Sequence, residues 1–170
     1  MNPMLRGALW VALCVAAAEP RDGMVSGAGW IGSPPGALGG RPDVVGRATF
    51  SFESRARPGD LPPAGGATFR FTAGDLHFTS SSYSWLVIAG NRATFKGRGT
   101  INGAGDYTLL VTAIDGDAGT VRTADRVRIR ITDRSSERLI YDNHAEAPLE
   151  SDAATPLGGG GIAITRDRDR

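Results

Sequence analysis

The chain has 170 residues, long enough for one domain with a sizeable core, and 19 Lys and Arg stand against 18 Asp and Glu. A net charge of +1 argues against a general nucleic-acid binder or a polybasic membrane-surface protein. The single cysteine, Cys14, excludes an internal disulfide framework.

The chain opens as a precursor. Arg6 precedes an apolar run, Gly7 to Ala18, and Ala16-Ala17-Ala18 offers small residues for cleavage, so residues 1–18 read as a signal peptide. The run is shorter than the roughly 20 apolar residues a membrane-spanning helix needs. Leu13 precedes Cys14 where lipidation wants a small residue, so Cys14 reads as part of the leader core. Cleavage after Ala18 leaves no cysteine, which removes zinc–thiolate sites and cysteine nucleophiles. The expected location is outside the cytoplasm, in the periplasm or beyond the cell. Arginine dominates the basic residues, with Lys96 the only lysine, a bias that reads as genome composition rather than function.

Residues 19–46 form a Gly/Pro-rich lead-in, expected to be mostly loop with a short strand near Trp30. Residues 47–165 read as the β domain. Ala48 to Glu53 alternates strictly, and Ala64 to Glu146 contains no proline, as central strands require. Inward faces are predicted at Ala67, Phe69 and Phe71, at Leu76 and Phe78, and at Tyr83, Trp85, Val87 and Ala89. Leu86 and Ile88 make the end of that last strand apolar on both sides, as if it were covered on both faces. Further inward faces fall at Ala93, Phe95, Gly97, Gly99 and Ile101, at Tyr107, Leu109, Val111 and Ala113, and at Val127, Ile129 and Ile131. Gly97 and Gly99 predict a bend or a close backbone approach. Gly90-Asn91 and Asn102-Gly103-Ala104-Gly105 predict tight hairpins. A last strand is predicted at Ile162 to Thr165, followed by a charged tail, 166–170. The pattern predicts an all-β fold, an antiparallel β-sandwich or flattened barrel of about nine or ten strands.

Several stretches carry a family resemblance. GWIGSP (Gly29 to Pro34), RATFSFES (Arg47 to Ser54), FRFTAGDLHFTSSSYSWLVIAG (Phe69 to Gly90), FKGRGTINGAGDYTLLVTAIDGD (Phe95 to Asp117), DRVRIRITD (Asp125 to Asp133), LIYDN (Leu139 to Asn143) and GGGGIAIT (Gly158 to Thr165) resemble a secreted bacterial β-domain of the post-choice-of-anchor type. That domain is often found with PKD or immunoglobulin-like repeats, and these 170 residues show no internal repeat. The resemblance implies an accessory module and supplies no catalytic residues.

Reactive groups are sparse. A Ser–His–acid arrangement would have to use His77, near Ser80, Ser81 and Ser82, or His144. A carboxylate pair could draw on Asp75, Asp106, Asp115 or Asp117, but aspartates at strand ends commonly make turns. Calcium is the cofactor to consider, with Asp115 and Asp117 as candidate ligands in the Asp-Gly-Asp loop, although the spacing matches no EF-hand. Trp30 is the candidate ligand-binding aromatic, because it lies in an irregular Gly-rich segment, whereas Tyr83, Trp85 and Tyr107 are assigned to the core. The alternating Arg126, Arg128 and Arg130 read as a solvated strand face.

The expected function is a secreted, non-catalytic β-module for binding, adhesion or structural support at a bacterial cell surface, with a surface polymer or glycan as partner. The alternative is an extracellular carbohydrate-binding module, and the third reading is a hydrolase using loop carboxylates. Neither nucleic acid nor a transmembrane span is expected.

Overall fold

The computed structural model describes residues 23–57, 59 and 61–166. The leader expectations, Cys14 among them, and the end of the charged tail lie outside the described residues. Ten strands follow one another: β1 (Gly23–Ser33), β2 (Gly46–Ala56), β3 (Ala64–Phe71), β4 (Leu76–Ala89), β5 (Arg92–Ile101), β6 (Ala104–Ile114), β7 (Arg126–Asp133), β8 (Leu139–Asp142), β9 (Thr155–Pro156) and β10 (Gly159–Arg166). A single 3-10 turn, Thr72–Gly74, sits between β3 and β4.

The strands form one antiparallel sheet in the order β10-β1-β2-β3-β4-β5-β6-β7-β8, with β9 pairing β7 beside β8. The fold is thus all-β, and the sheet is not closed into a barrel. It curls so that its two halves share one core. Phe52 of β2 packs on Phe95 of β5 with ring centroids 5.2 Å apart, and Phe69 of β3 packs on Tyr141 of β8 at 4.5 Å. Each buried aromatic contributes roughly 1.5–3 kcal/mol by leaving water, and the ring pairs add about 0.5–1.5 kcal/mol.

The period-two pattern places most of the core correctly. Ala48, Phe50, Phe52, Ala67, Phe69, Phe71, Leu76, Phe78, Ala93, Phe95, Leu109, Val111, Ala113, Val127, Ile129 and Ile131 are all buried. Both predicted hairpins form. Ala89 pairs with Arg92 around Gly90-Asn91, and Ile101 pairs with Ala104 around Asn102-Gly103, whose positive φ values of 51° and 79° fit a type I′ turn. Gly97 is a close-approach site as expected, because a Cβ there would stand 2.8 Å from the Tyr83 ring.

Three local readings are corrected. β1 runs for 11 residues where a short strand was expected near Trp30. Gly27 and Gly29 in its middle sit where side chains would collide. A Cβ at Gly27 would press on the Phe52 ring, and one at Gly29 would overlap the Gly159 carbonyl. The glycine run near the C-terminus is likewise strand. Gly159 to Gly161 belong to β10, and Gly160, at φ +96°, faces the Ala28 carbonyl with no room for a side chain.

The second correction concerns β4. The β4–β5 register shifts between Ser80 and Ser82 and again between Tyr83 and Trp85, leaving Ser81 and Ser84 as extra residues. Each bulge moves the inward face by one position. Tyr83 and Leu86 point in, while Trp85 and Val87, expected in the core, are 38% and 55% exposed. The end of β4 is therefore covered on one face only. The third correction is on β7, where Arg128 is buried rather than solvated. The segment 143–154 crosses the outer face of β7 at Arg128, which donates to the Ala147 and Pro148 carbonyls.

Candidate functional site

The outer face of β4 to β7 carries a groove of about 590 Å³. The strand register sets its floor, since Trp85 lies opposite Lys96, Lys96 opposite Leu110, and Leu110 opposite Arg130. These four side chains form one row across four strands. Leu149, from the crossing segment, and the β7–β8 turn residues Asp133 and Glu137 complete the walls. The bulge at Ser81 turns Tyr83 inward, and the bulge at Ser84 restores the frame of Leu76 and Phe78, so that Trp85 faces outward. The serines themselves are structural: the Ser80 hydroxyl accepts the Ala67 N–H at 2.7 Å, and the Ser81 hydroxyl donates to the Arg98 carbonyl at 3.1 Å.

The crossing segment is fixed from below. The Arg128 guanidinium donates from Nε to Asp142 Oδ1 at 3.1 Å and from Nη2 to Asp142 Oδ2 at 2.9 Å. It also donates to the carbonyls of Pro148 at 2.7 Å and Ala147 at 3.2 Å. Asn143 bonds β7 on both sides, accepting the Ile129 N–H at 2.7 Å and donating to the Val127 carbonyl at 2.9 Å. Leu149 is therefore held by a buried polar network.

The arginines around the groove each have a carboxylate partner in place, shared two to one. Arg130 Nη1 donates to Asp142 Oδ2 at 3.0 Å. Arg98 forms a forked pair with Asp106 at 2.7 and 2.8 Å, and Arg134 Nε lies 3.2 Å from the same carboxylate. The hydrogen bond to Asp106, with its charge, raises the Arg98 pKa further above its ordinary value. Asp133 accepts from the Ser135 hydroxyl and from the Ser136 backbone N–H, which hold its carboxyl down to about 2. Lys96 makes no ion pair among the described residues.

The aromatic singled out from sequence occupies a different place. Trp30 is half-buried and serves packing. The Arg47 guanidinium lies 4.0 Å above its ring, and Gly158 and Gly159 press so close that neither tolerates a Cβ. Its carbonyl also accepts the Gly158 N–H at 2.9 Å, joining β1 to the β9–β10 connection. Among the described residues the exposed tryptophan is Trp85.

Asp115 and Asp117 take separate roles. Asp115 is buried, and its Oδ1 accepts the N–H groups of Asp117 and Ala118 at 3.0 Å each, while its Oδ2 accepts the Ile164 N–H at 3.0 Å. Asp117 is exposed and lies 3.7 Å from Arg122. Asp125 works with Asp115. It accepts the Gly116 N–H at 2.8 Å and the Ile162 N–H at 2.7 Å. Two carboxylates thereby stand in for a neighbouring strand along the outer edge of β10. Among the described residues no group of three or more His, Cys, Asp or Glu side chains is arranged to hold a metal ion.

The remaining candidates stay apart. The His77 ring has Arg70 as its polar neighbour, Nη2 to Nδ1 3.4 Å, and not a carboxylate. The His144 N–H donates to Asp142 Oδ1 at 2.9 Å as part of the Arg128 network. Asp75 takes a left-handed conformation after the 3-10 turn, and its carbonyl accepts from Asn102. Among the described residues no helix is long and apolar enough to cross a membrane. Compared with protein-family models, curated proteins and solved structures, the chain matches none.

Proposed function

We propose that this chain is a non-catalytic binding module that holds an extracellular glycan on the outer face of β4 to β7. The observation that carries the reading is Trp85, an indole 38% exposed on the floor of a groove built on rigid strands. An aromatic face flanked by threonines, charged groups and a leucine suits a sugar, which presents an apolar ring face and a rim of hydroxyls. Thr108 and Thr132, paired across β6 and β7, add hydroxyls beside Leu110. Of the four carboxylates weighed for a hydrolase, Asp106 is engaged by two arginines and Asp115 by three N–H groups. Export through the leader and the resemblance to accessory domains of secreted bacterial proteins agree with a role at the cell surface.

The test is a glycan-array screen of the full chain beside Trp85→Ala. Binding by the parent that the variant loses, with an unchanged thermal melt, is the expected result. Binding that survives in Trp85→Ala would remove this face from the function, and an array with no positive would remove the reading itself.

A further inference from the structure

We propose that the groove takes an acidic glycan, a hexuronate-bearing polysaccharide, with Trp85 covering the sugar face and Lys96 receiving the carboxylate. This rests on the reading of the groove as a glycan site. Trp85 and Lys96 are directly paired residues on adjacent antiparallel strands. Such pairs hold their Cβ atoms about 5 Å apart, so one sugar ring on the indole brings an exocyclic carboxylate to the ammonium.

The charge arrangement selects the class of ligand. Arg98 and Arg134 share Asp106, and Arg130 is tied to Asp142, whereas Lys96 has no carboxylate among the described residues. Lys96 is also half-buried beside an apolar neighbour, Leu110, where an unpaired ammonium gains from an anionic partner. Being a compact charge with rotatable donors, it receives a carboxylate without a fixed fork geometry.

The opposite wall carries Asp133 and Glu137 at the β7–β8 turn, with Arg134 between them turned toward Asp106. These carboxylates accept hydroxyl donors and repel a second anion. The groove is therefore polarised, with one place for a negative group and, across from it, acceptors for sugar hydroxyls. A nucleic acid, with a phosphate on every residue, would set charge against Asp133 and Glu137 and find only one unpaired cation, too few for binding driven by counterion release.

The full chain is titrated with polygalacturonate, dextran and single-stranded DNA by calorimetry, alongside Trp85→Ala, Lys96→Gln and Lys96→Arg, each first checked by thermal melt. Polygalacturonate should bind, less tightly as salt rises, and dextran and DNA should not. Lys96→Gln should weaken binding about tenfold, Lys96→Arg should restore most of it, and Trp85→Ala should abolish it. Dextran binding that requires Trp85, with polygalacturonate inert or Lys96→Gln silent, overturns the acidic ligand and leaves the glycan face standing. DNA binding as tight as that of polygalacturonate overturns the proposal in favour of a polyanion site. No binding to either polysaccharide overturns it as well, and the array then decides the broader reading.

Discussion

Arg128 and Asp142 meet in a forked ion pair inside the fold, at 3.1 and 2.9 Å, with side chains only 4% and 0% exposed. The pair also receives Arg130 and the His144 N–H, and it returns donors to the carbonyls of Ala147 and Pro148. One strand is thereby joined to the segment that walls the groove.

Breaking this pair from one side leaves a buried charge with too few partners, a change that costs about 3–5 kcal/mol. Arg128→Ala is expected to lower the melting temperature by roughly 6–20 °C for a chain of this size. Arg98→Ala, which breaks the exposed pair with Asp106, should leave the melt almost unchanged. Differential scanning calorimetry of both variants checks the contrast, and equal shifts would contradict it.

The carboxylates of Asp115 and Asp125 hold the edge of β10 through Ile164 and Ile162. Hydrogen bonds to a charged acceptor contribute about 1.5–3 kcal/mol each. Asp125→Ala, which removes two such bonds, should destabilise the chain by about 3–6 kcal/mol and speed amide exchange at Ile162 more than at Phe95. Asp115→Ala should do the same at Ile164. Hydrogen exchange followed by NMR reads both, and uniform acceleration across the sheet would argue against a local latch.

Chelator is expected to leave stability untouched. Both Asp115 oxygens already accept N–H groups, and calcium wants six to eight oxygens free to turn toward it. Melts with millimolar calcium and with EDTA should superimpose. A clear rise with the ion would restore the loop as a metal site.

Alkaline pH should weaken the fold through Tyr141. Burial pushes its hydroxyl up to about 12, against a hydrogen bond to Ser33 that favours ionisation and with Asp142 nearby adding to the rise. A raised pKa means that the folded state holds the proton more tightly than the unfolded one. The stabilisation is thus complete below pH 10 and is lost as pH climbs toward 12, amounting to roughly 3 kcal/mol. Burial, with Glu53 adding, also raises the Tyr83 pKa, in the same sense. Urea melts between pH 8 and 12 should show the fall, and Tyr141→Phe should flatten part of it.

Much of the sheet was legible because its strands keep period two. Ala93 to Gly99 alternates without interruption, and its inward face follows directly. The exposure of Trp85 was not legible from its alternation with Tyr83, because the bulge at Ser84 adds a residue between them without leaving a sign in composition. The serines at 80–82 and 84 were the available signal, and serine runs beside a strand are usually surface chemistry. Trp30 misled for the converse reason: glycines around it suggested an open loop, yet Gly158 and Gly159 are small so that the indole can lie against them. Arg128 alternated like a wet residue. Its burial depends on a segment 19–20 residues further along, at Ala147 and Pro148, a tertiary contact that no local pattern reports.

The carboxylates along β10 have one more effect. An outermost strand ordinarily offers its amides to any passing chain, and rows of such offers let copies polymerise into fibres. Here two of those amides are already bonded within the same molecule, and the far margin is a strand of only four residues. Crowded together on a surface, neighbouring copies would find little backbone on which to zip.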